Sequence, residues 1–358
     1  MTGKRIASII MAGGKGTRMG VADKHKATFE VAGVPTITRL LDSLAKVDIT
    51  FNVIVVGVFA EQLMNVVAKT SYAPLYAFQA IQKGTGNAAK MGLYALEQSG
   101  FDGDVLIVPG DAFINPAALK NLIEMYTKSR SDMAILVMDK QHAPDFGHIV
   151  QGEDGTVVGS IEYWDLIKGI LTKKVLGMVE SLEKNKAEAE TGSSEKIIAQ
   201  IKDLLEHDLK EEKRIAKVFP TIYQAIKDCE KASMAGNVGD VYKNTLRSIQ
   251  DALKKSPTGF LIKGVVHDAE AILRGAKYVN VSIYLCSART WYEYIERITS
   301  NNTQNEEYLT DILQILVDAG KKIVAVPLSS PNDVMSFNTT KELQKINEDF
   351  LASKHGSK

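Results

Sequence analysis

The first 160 residues of this chain alternate between two kinds of apolar pattern, and this alternation is the feature that most restricts its fold. Short runs rich in valine and isoleucine, without strict polar alternation, are typical of strands covered on both faces. The predicted strands are Ile6–Met11, Phe51–Val58, Leu75–Phe78, Val105–Val108 and Met133–Met138. Between them, helical spacing predicts helices at Thr36–Leu44, Gln62–Ala68, Asn87–Leu96 and Pro116–Tyr126. The sequence therefore predicts an α/β fold, a mostly parallel sheet with helices on both faces.

The character of the chain changes from about Asp165 to Asp268. Lysine and glutamate dominate there, glycine is sparse, and apolar residues fall at helical spacing, which predicts three to five helices. Strand-like patterns return at Lys277–Leu285 and Lys322–Val326. We therefore expect an α/β domain of residues 1–164 and 269–358, interrupted by an inserted α-helical subdomain of residues 165–268. A lid, a contact in a homo-oligomer and a spacer are equally open roles for this insertion.

Composition excludes several classes of protein. The 358 residues are 45% hydrophobic and carry no formal net charge, so no overall field favours nucleic acid or an anionic membrane. Cys229 and Cys286 form no disulfide framework or metal-binding spacing, which fits a reducing compartment. No run approaches the roughly 20 apolar residues of a membrane span, and the first apolar run is too short for a signal peptide. We expect a cytoplasmic protein that holds any anionic ligand locally, without nucleic-acid or membrane partners.

The first predicted strand leads directly into the glycine-rich stretch Gly13–Arg18, and Lys26 follows a short distance beyond. Glycines let main-chain N–H groups approach an anion, and lysine and arginine side chains bind phosphate oxygens. The stretch matches neither the Walker A pattern nor Gly-x-Gly-x-x-Gly. Taken alone, it indicates either a phosphate-binding loop or a glycine-rich turn with solvated cations.

Two further loops with chemically active residues follow predicted strands. Gln79–Asn87 comes after the third strand, and Gly110-Asp111 comes after the fourth. In parallel sheets the carboxyl ends of the strands meet at one edge, and ligands bind there. We therefore expect the three loops to form one anion-binding site.

These loops, with two later motifs, resemble the sugar-1-phosphate nucleotidyltransferases. Met11–Met19 with Lys26 resembles the family's Leu-x-x-Gly-x-Gly-Thr-Arg-Met and its following lysine, and Gln79–Gly86 resembles its glutamine-rich Gly-Thr-Gly loop. Asn301–Ile312 is similar to its Asn-x-Gln-x-Glu-Tyr-Tyr-x-Thr-Asp-Ile, and Val334–Leu343 to its Gly-Val-Asn-Asn-Arg-x-Gln-Leu. The resemblance is closest to the uridyltransferase half of the bacterial bifunctional enzyme that makes UDP-N-acetylglucosamine. It implies a Rossmann-like nucleotide-diphospho-sugar transferase fold and covers about residues 4–162 and 277–350.

The resemblance also implies a reaction, in which UTP and a sugar 1-phosphate give a UDP-sugar and pyrophosphate. It implies catalytic contacts to the phosphates from Arg18 and Lys26, and one Mg²⁺ held by Asp111 and Asn338. The implied nucleotide-binding residues are Ala12, Gly13, Gly14, Lys15, Gly16, Thr17, Gln79, Gln82, Gly84 and Thr85. The implied sugar-binding residues are Gly147, Glu162, Asn280 and Tyr308.

Several alternatives stay open. Asn87 and His148 replace the histidine and arginine that are usual in the family, so the sugar is N-acetylglucosamine 1-phosphate, glucose 1-phosphate or a related hexose. CTP and dTTP are alternatives to UTP. Glu162, Asn280 and Tyr308 have structural alternatives: a solvated charge, a strand-end polar residue and a core aromatic residue. A silent regulatory subunit that binds nucleotide sugars is the alternative from another class, and the presence of both catalytic and both metal-binding residues argues against it.

Overall fold

The computed structural model describes residues 5–14, 23–184, 191–234, 240–302 and 305–355. The chain forms two compact units. One comprises the residues up to Ile161, Ala276–Asn301 and the residues from Asn305 onward. The other comprises Glu162–Gly275 together with Asn302. None of the helices in the described part of the chain combines the length and hydrophobicity that a membrane crossing requires.

The strands are β1 (Ile6–Ala12), β2 (Glu30–Val31), β3 (Val34–Pro35), β4 (Phe51–Val56), β5 (Leu75–Phe78), β6 (Asp104–Pro109), β7 (Ala112–Ile114), β8 (Met133–Asp139), β9 (His148–Gln151), β10 (Val157–Ile161), β11 (Gly259–Ile262), β12 (Val265–Asp268), β13 (Tyr278–Ser287), β14 (Ile323–Pro327) and β15 (Val334–Ser336). The helices are α1 (Thr36–Ala45), α2 (Ala60–Val67), α3 (Thr85–Gln98), α4 (Pro116–Ser129), α5 (Tyr163–Lys184), α6 (Thr191–Leu209), α7 (Glu212–Val218), α8 (Pro220–Met234), α9 (Val241–Lys254), α10 (Ala269–Gly275), α11 (Ala288–Tyr294), α12 (Asp311–Asp318) and α13 (Thr340–His355).

Strand β1 lies inside the main sheet and pairs in parallel with β4 on one side and β6 on the other. In the described residues the sheet runs β10-β9-β13-β6-β1-β4-β5, and β8 pairs with β13 and β14. The β4–β5 and β8–β14 pairs are parallel, whereas β13 is antiparallel to β6 and β8. The predicted α/β class, with a mostly parallel central sheet, is confirmed.

Neighbouring residues of β1 face opposite sides of the sheet, as the pleat requires. Ile9 belongs to a buried apolar cluster with residues of α3, α11 and α12. Ile10 belongs to a second cluster, with residues of α1, α2 and α4. Helices therefore cover both faces, and β1 is buried on both faces and paired on both edges. This environment fixes the end of β1, where the glycine-rich stretch begins.

The second unit is built mainly from helices α5 to α9, whose apolar faces form a core of their own. Leu171, Ile201, Leu205 and Ile249 are among its fully buried residues. The chain then forms a β-hairpin, β11–β12, where the sequence pattern had predicted no strands. Lys263 and Gly264 both adopt positive φ at its turn, which is the geometry of a tight hairpin connection. A single Lys-Gly pair is a weaker sequence signal than Asn-Gly, so the hairpin was missed.

Candidate active site

The loops that follow β1, β5 and β6 surround a cavity of about 610 Å³ in the α/β unit. Ten of the predicted site residues line it: Ala12, Gly13, Gly14, Lys26, Gln79, Gln82, Gly84, Thr85, Asp111 and Asn338. Because β6, β1, β4 and β5 run parallel, these loops leave the same edge of the sheet. The predicted residues Lys15, Gly16, Thr17 and Arg18 lie outside the described residues.

One part of the cavity wall is formed by the side chains of Lys26, Asp111 and Asn338, which contact one another. The Lys26 ammonium forms an ion pair with the Asp111 carboxylate and donates a hydrogen bond to Asn338 Oδ1 at 3.0 Å. It also lies 5.4 Å from the centre of the Phe337 ring. The Lys26 side chain is only 13% exposed, so these contacts replace most of its hydration. The carboxylate and the amide oxygen thus converge on one positive charge.

A strand pairing explains why Asp111 and Asn338 meet. Strands β7 and β15 are antiparallel, with Ala112 opposite Ser336. Continuing this register by one or two residues brings the chain that carries Asn338 alongside the turn that carries Asp111. Phe337 lies between Ser336 and Asn338 in sequence. It is buried and anchors the C-terminal segment in a small apolar cluster. The sequence carries no local signal for this pairing, because the two strands are three residues each and far apart in the chain.

The two converging oxygens fit the donor set of a magnesium ion. Mg²⁺ prefers carboxylate and carbonyl-type oxygen ligands and normally completes its shell with water and substrate phosphates. Asp111 and Asn338 would hold it, because both already direct an oxygen at the same cation. Within the described residues, no three His, Cys, Asp or Glu side chains cluster to form a metal site from protein alone. The remaining ligands would therefore have to come from the substrate and solvent.

His25 connects the end of β1 to the turn that carries Lys26. Its Nε2 lies 2.7 Å from the Ala12 carbonyl oxygen, and its Nδ1 accepts a hydrogen bond from the Ala27 N–H at 3.1 Å. These partners fix the neutral ring with its proton on Nε2. Burial lowers the pKa of His25, and the Ala12 carbonyl and the Asp111 charge oppose this only in part. The sequence pattern predicts no role for His25, and the signal that could have indicated one is an imidazole directly before Lys26.

The glutamine-rich loop packs against Gly13, at the start of the glycine-rich stretch. Gln79 is buried, and its Nε2 donates to Asn87 Oδ1 at 2.9 Å and to the Gly84 carbonyl at 3.3 Å. A Cβ at Gly13 would collide with the side-chain oxygen of Gln79, so a larger residue there would displace the end of the Gln79 side chain. Gly84 has φ +117° and directly precedes α3. Gly84 and Thr85 both line the cavity, so the first residues of α3 form part of its wall.

The segment 305–309 supports this loop from outside. Glu307 accepts a hydrogen bond from the Gly86 N–H at 2.7 Å and donates its own N–H to the Lys83 carbonyl at 2.6 Å. Its carboxylate pairs with Lys90 Nζ at 2.9 Å, in a largely buried contact. The Leu309 N–H donates to Thr85 Oγ1 at 3.0 Å. These bonds give part of the Asn301–Ile312 motif a structural role that the sequence did not reveal.

The predicted sugar-binding residues are placed differently. Asn280 lies inside β13, at a bulge, not at a strand end. Its N–H donates to the Gly147 carbonyl, its Nδ2 donates to Tyr284 Oη, and its Oδ1 accepts from the Ser282 N–H, each at 2.8 Å. Tyr308 is buried. Among the described residues that line the cavity, Gly147, Asn280 and Tyr308 do not occur.

Glu162 belongs to the second unit, where it directly precedes α5. Its carbonyl oxygen accepts hydrogen bonds from the N–H groups of Asp165 and Leu166, at 3.0 and 3.1 Å. These bonds begin the first turn of α5. The backbone of Glu162 thus starts a helix, whatever its carboxylate binds.

Comparison with known proteins places this site in a family. Residues 8–189, just over half of the chain, match the MobA-like NTP transferase domain. The bifunctional protein GlmU of Exiguobacterium sibiricum is 34% identical over 159 residues, which are 44% of this chain and 34% of that protein. GlmU of Geobacter metallireducens is 23% identical over 355 residues, 97% of this chain and 52% of that protein. The chain thus spans between about a third and a half of the length of these relatives.

Solved structures share the fold. A structure of apo-UDP-glucose pyrophosphorylase superposes with a TM-score of 0.56 at 11% identity, covering 98% of this chain and 99% of that chain. A Bacillus anthracis protein assigned as a glucose-1-phosphate thymidylyltransferase gives a TM-score of 0.54 at 15% identity, covering 96% and 94%. The match of residues 8–189 to the family confirms the nucleotidyltransferase family expected from the motifs. The chain belongs to the MobA-like NTP transferase family and is a nucleotidyltransferase enzyme.

Proposed function

We propose that this enzyme transfers a uridylyl group from UTP to N-acetylglucosamine 1-phosphate, with Mg²⁺, giving UDP-N-acetylglucosamine and pyrophosphate. The observation that carries the proposal is the convergence of three strand-end loops and Asn338 on one cavity of about 610 Å³. Lys26 follows β1 and Asp111 follows the neighbouring strand β6. Gln79 and Gln82 follow β5, which β4 separates from β1 in the sheet. Such a site suits a triphosphate near β6 and a nucleobase near β5. The motif resemblance and the GlmU relatives support the choice of substrates.

The chemistry needs no protein nucleophile. A phosphate oxygen of the sugar phosphate attacks the α-phosphorus of UTP, and the bond from the α-phosphorus to the bridging oxygen breaks as pyrophosphate leaves. Because the attacking oxygen is already ionised, no general base is required. Catalysis then consists of aligning two anions and neutralising the charge that builds up on the leaving group.

Named groups of the chain can carry out these tasks. Main-chain N–H groups of Gly13 and Gly14 would hold phosphate oxygens, and main-chain groups of Gly84 and Thr85 would contact the base. Lys26 would contact the reacting phosphates, and Arg18 the leaving pyrophosphate. Gln79 and Gln82 would bind the base edge. A bound Mg²⁺ would neutralise phosphate charge and fix the phosphate geometry at Asp111 and Asn338.

Glucose 1-phosphate is the second candidate acceptor, and the hydrogen bonds of Asn280 favour it. The Asn280 side chain donates to Tyr284 and accepts from Ser282. Both polar ends of its amide therefore already bond to the protein, and neither needs an N-acetyl group as a partner. The fold is also shared with a UDP-glucose pyrophosphorylase. A cytoplasmic location is part of the proposal, supported by two buried free cysteines.

A substrate panel tests the proposal. Pyrophosphate release is measured with UTP, CTP or dTTP against N-acetylglucosamine 1-phosphate or glucose 1-phosphate, with Mg²⁺ and after its removal by a chelator. The proposal expects the highest kcat/KM for UTP with N-acetylglucosamine 1-phosphate, and loss of activity with chelator. Equal or faster turnover of glucose 1-phosphate would select the second candidate. Absence of pyrophosphate release with every pair would contradict transfer to sugar phosphates.

A further inference from the structure

The side-chain amide of Gln79 is held in one orientation. Its nitrogen donates to Asn87 Oδ1 at 2.9 Å and to the Gly84 carbonyl at 3.3 Å. A backbone carbonyl can only accept a hydrogen bond, so the nitrogen of the Gln79 amide must face Gly84. Asn87 must then present its oxygen to the same nitrogen. Both N–H bonds of the Gln79 amide are used, and its oxygen Oε1 points away from these partners.

That oxygen lies at the cavity wall. Gln79 and Gly13 both line the cavity, and Oε1 lies directly against the α-carbon of Gly13. Within the part of the chain that the structure describes, no donor is bonded to Oε1. The residue is only 3% exposed, so an acceptor left without a partner here is costly when a ligand excludes water. The site thus offers one fixed hydrogen-bond acceptor to a ligand.

We propose that Asn87 is a positioning residue that sets the base preference of the site by locking the Gln79 amide, so that uracil and thymine are preferred over cytosine. This inference rests on the proposed function, because it takes the ligand beside Gln79 to be a pyrimidine nucleotide. Uracil and thymine carry a donor, N3–H, where cytosine carries an acceptor, N3. A fixed acceptor accepts a hydrogen bond from N3–H of uracil or thymine, but it faces the lone pair on N3 of cytosine. The preference is therefore produced by rejection as well as attraction.

The role of Asn87 depends on its acceptor oxygen. Asn87→Asp retains an oxygen at that position, so the Gln79 amide stays locked. Asn87→Leu has a similar volume but cannot accept a hydrogen bond. In the leucine variant the Gln79 amide keeps only its longer bond to Gly84 and can turn over, presenting its nitrogen to the ligand. Cytosine should then be accepted.

The test compares UTP and CTP in wild type, Asn87→Leu and Asn87→Asp. Dissociation constants are measured by calorimetry without sugar phosphate, and kcat/KM with saturating N-acetylglucosamine 1-phosphate or glucose 1-phosphate. We expect wild type and Asn87→Asp to favour UTP by at least about tenfold, and Asn87→Leu to lose about tenfold of that ratio, chiefly through better use of CTP. Asn121→Leu, at an exposed position of α4, is the matched control and should keep the wild-type ratio. Thermal melting checks folding, and Asn87→Ala replaces the leucine variant if that does not fold.

The outcomes separate this inference from the proposed function. A UTP-to-CTP ratio that stays unchanged in Asn87→Leu, even if both nucleotides bind more weakly, would show a merely structural asparagine and overturn the inference. Equal use of UTP and CTP by wild type would also overturn it, while transfer to sugar phosphate would stand. Failure of wild type to bind or turn over any nucleoside triphosphate would instead overturn the proposed function.

Discussion

Lys26 Nζ lies 3.0 Å from Asn338 Oδ1, although 312 residues separate them in the chain. The same ammonium pairs with Asp111. The lysine that would bind phosphate thus occupies the space between the two oxygens that would bind Mg²⁺. A divalent cation at these oxygens must displace the ammonium, and the displaced ammonium becomes available for phosphate. We therefore expect cation binding and the release of Lys26 to be coupled.

The first prediction concerns this competition. Lys26→Met should bind Mn²⁺ about tenfold more tightly than wild type in the absence of nucleotide, because a competing positive charge is gone. The same variant should release pyrophosphate about 10²–10³-fold more slowly, because a charge-assisted contact to the reacting phosphates is lost. Electron paramagnetic resonance of free Mn²⁺ measures the first effect. Lys24→Met, at the exposed neighbouring lysine, should change neither, and weaker Mn²⁺ binding by Lys26→Met would refute the competition.

The second prediction concerns the support of the glutamine-rich loop. Lys90 and Glu307 side chains are 11% and 15% exposed, so Lys90→Met leaves a largely buried carboxylate without its strong partner. We expect a loss of about 3–5 kcal/mol in the free energy of unfolding, and a higher KM for UTP because the loop at Gly84 loosens. Urea denaturation and steady-state kinetics measure both.

The matched control is an exposed pair of the same chemistry. Lys128→Met breaks the ion pair with Glu124, in which the lysine side chain is 71% exposed and the glutamate side chain 47% exposed. This variant should lose less than about 1 kcal/mol in the free energy of unfolding. A double variant with methionine at both Lys90 and Glu307 should recover part of the lost stability. Equal costs for Lys90→Met and Lys128→Met would contradict the role given to the buried pair.

The third prediction is a pH dependence of stability. His148 is fully buried, and burial lowers its pKa below the ordinary value of 6.5, helped by the charge of Lys140 and opposed by the Phe146 carbonyl. Below about pH 6.5 the unfolded chain therefore binds more protons at this residue than the folded chain does. The free energy of unfolding should fall as pH drops from 6.5 through the lowered pKa, and the His148 contribution should be constant above 6.5.

Urea denaturation between pH 7.5 and 5.5 measures this slope. His148→Gln should reduce the slope, whereas His142→Gln, at an exposed position, should leave it unchanged. His25, whose pKa burial also lowers, contributes with the same sign and leaves a residual slope in the His148 variant. An identical slope in wild type and His148→Gln would contradict the assignment.

Local sequence patterns were sufficient for the main strands and helices of the α/β unit. Strands buried on both faces must be apolar at nearly every position, so β1, β4 and β6 are recognisable as valine- and isoleucine-rich runs. The parallel order then implies that their loops share an edge. The shared edge predicts that Gly13, Gln79 and Asp111 lie close together, and all three line one cavity.

Features that depend on long-range contacts were not predictable. The short pairing of β7 with β15, which brings Asn338 to Asp111, has no local signature. The bulge in β13 turns Asn280 into a residue bonded within its own strand. The structural roles of His25 and Glu307 likewise depend on partners that their own neighbourhoods in sequence do not show. Whether the insertion forms a homo-oligomer contact stays a prediction.

The central claim is that the Lys26–Asp111–Asn338 cluster is the catalytic centre of a Mg²⁺-dependent uridylyl transfer. The most direct measurement is pyrophosphate release from UTP and N-acetylglucosamine 1-phosphate by wild type and by Asp111→Asn, at equal Mg²⁺ and with thermal melting as a check of folding. Asp102→Asn, at a side chain that is 91% exposed, is the control and should match wild type. The account predicts that Asp111→Asn melts like wild type but is about 10²–10³-fold slower. Activity of folded Asp111→Asn within a few-fold of wild type would contradict it.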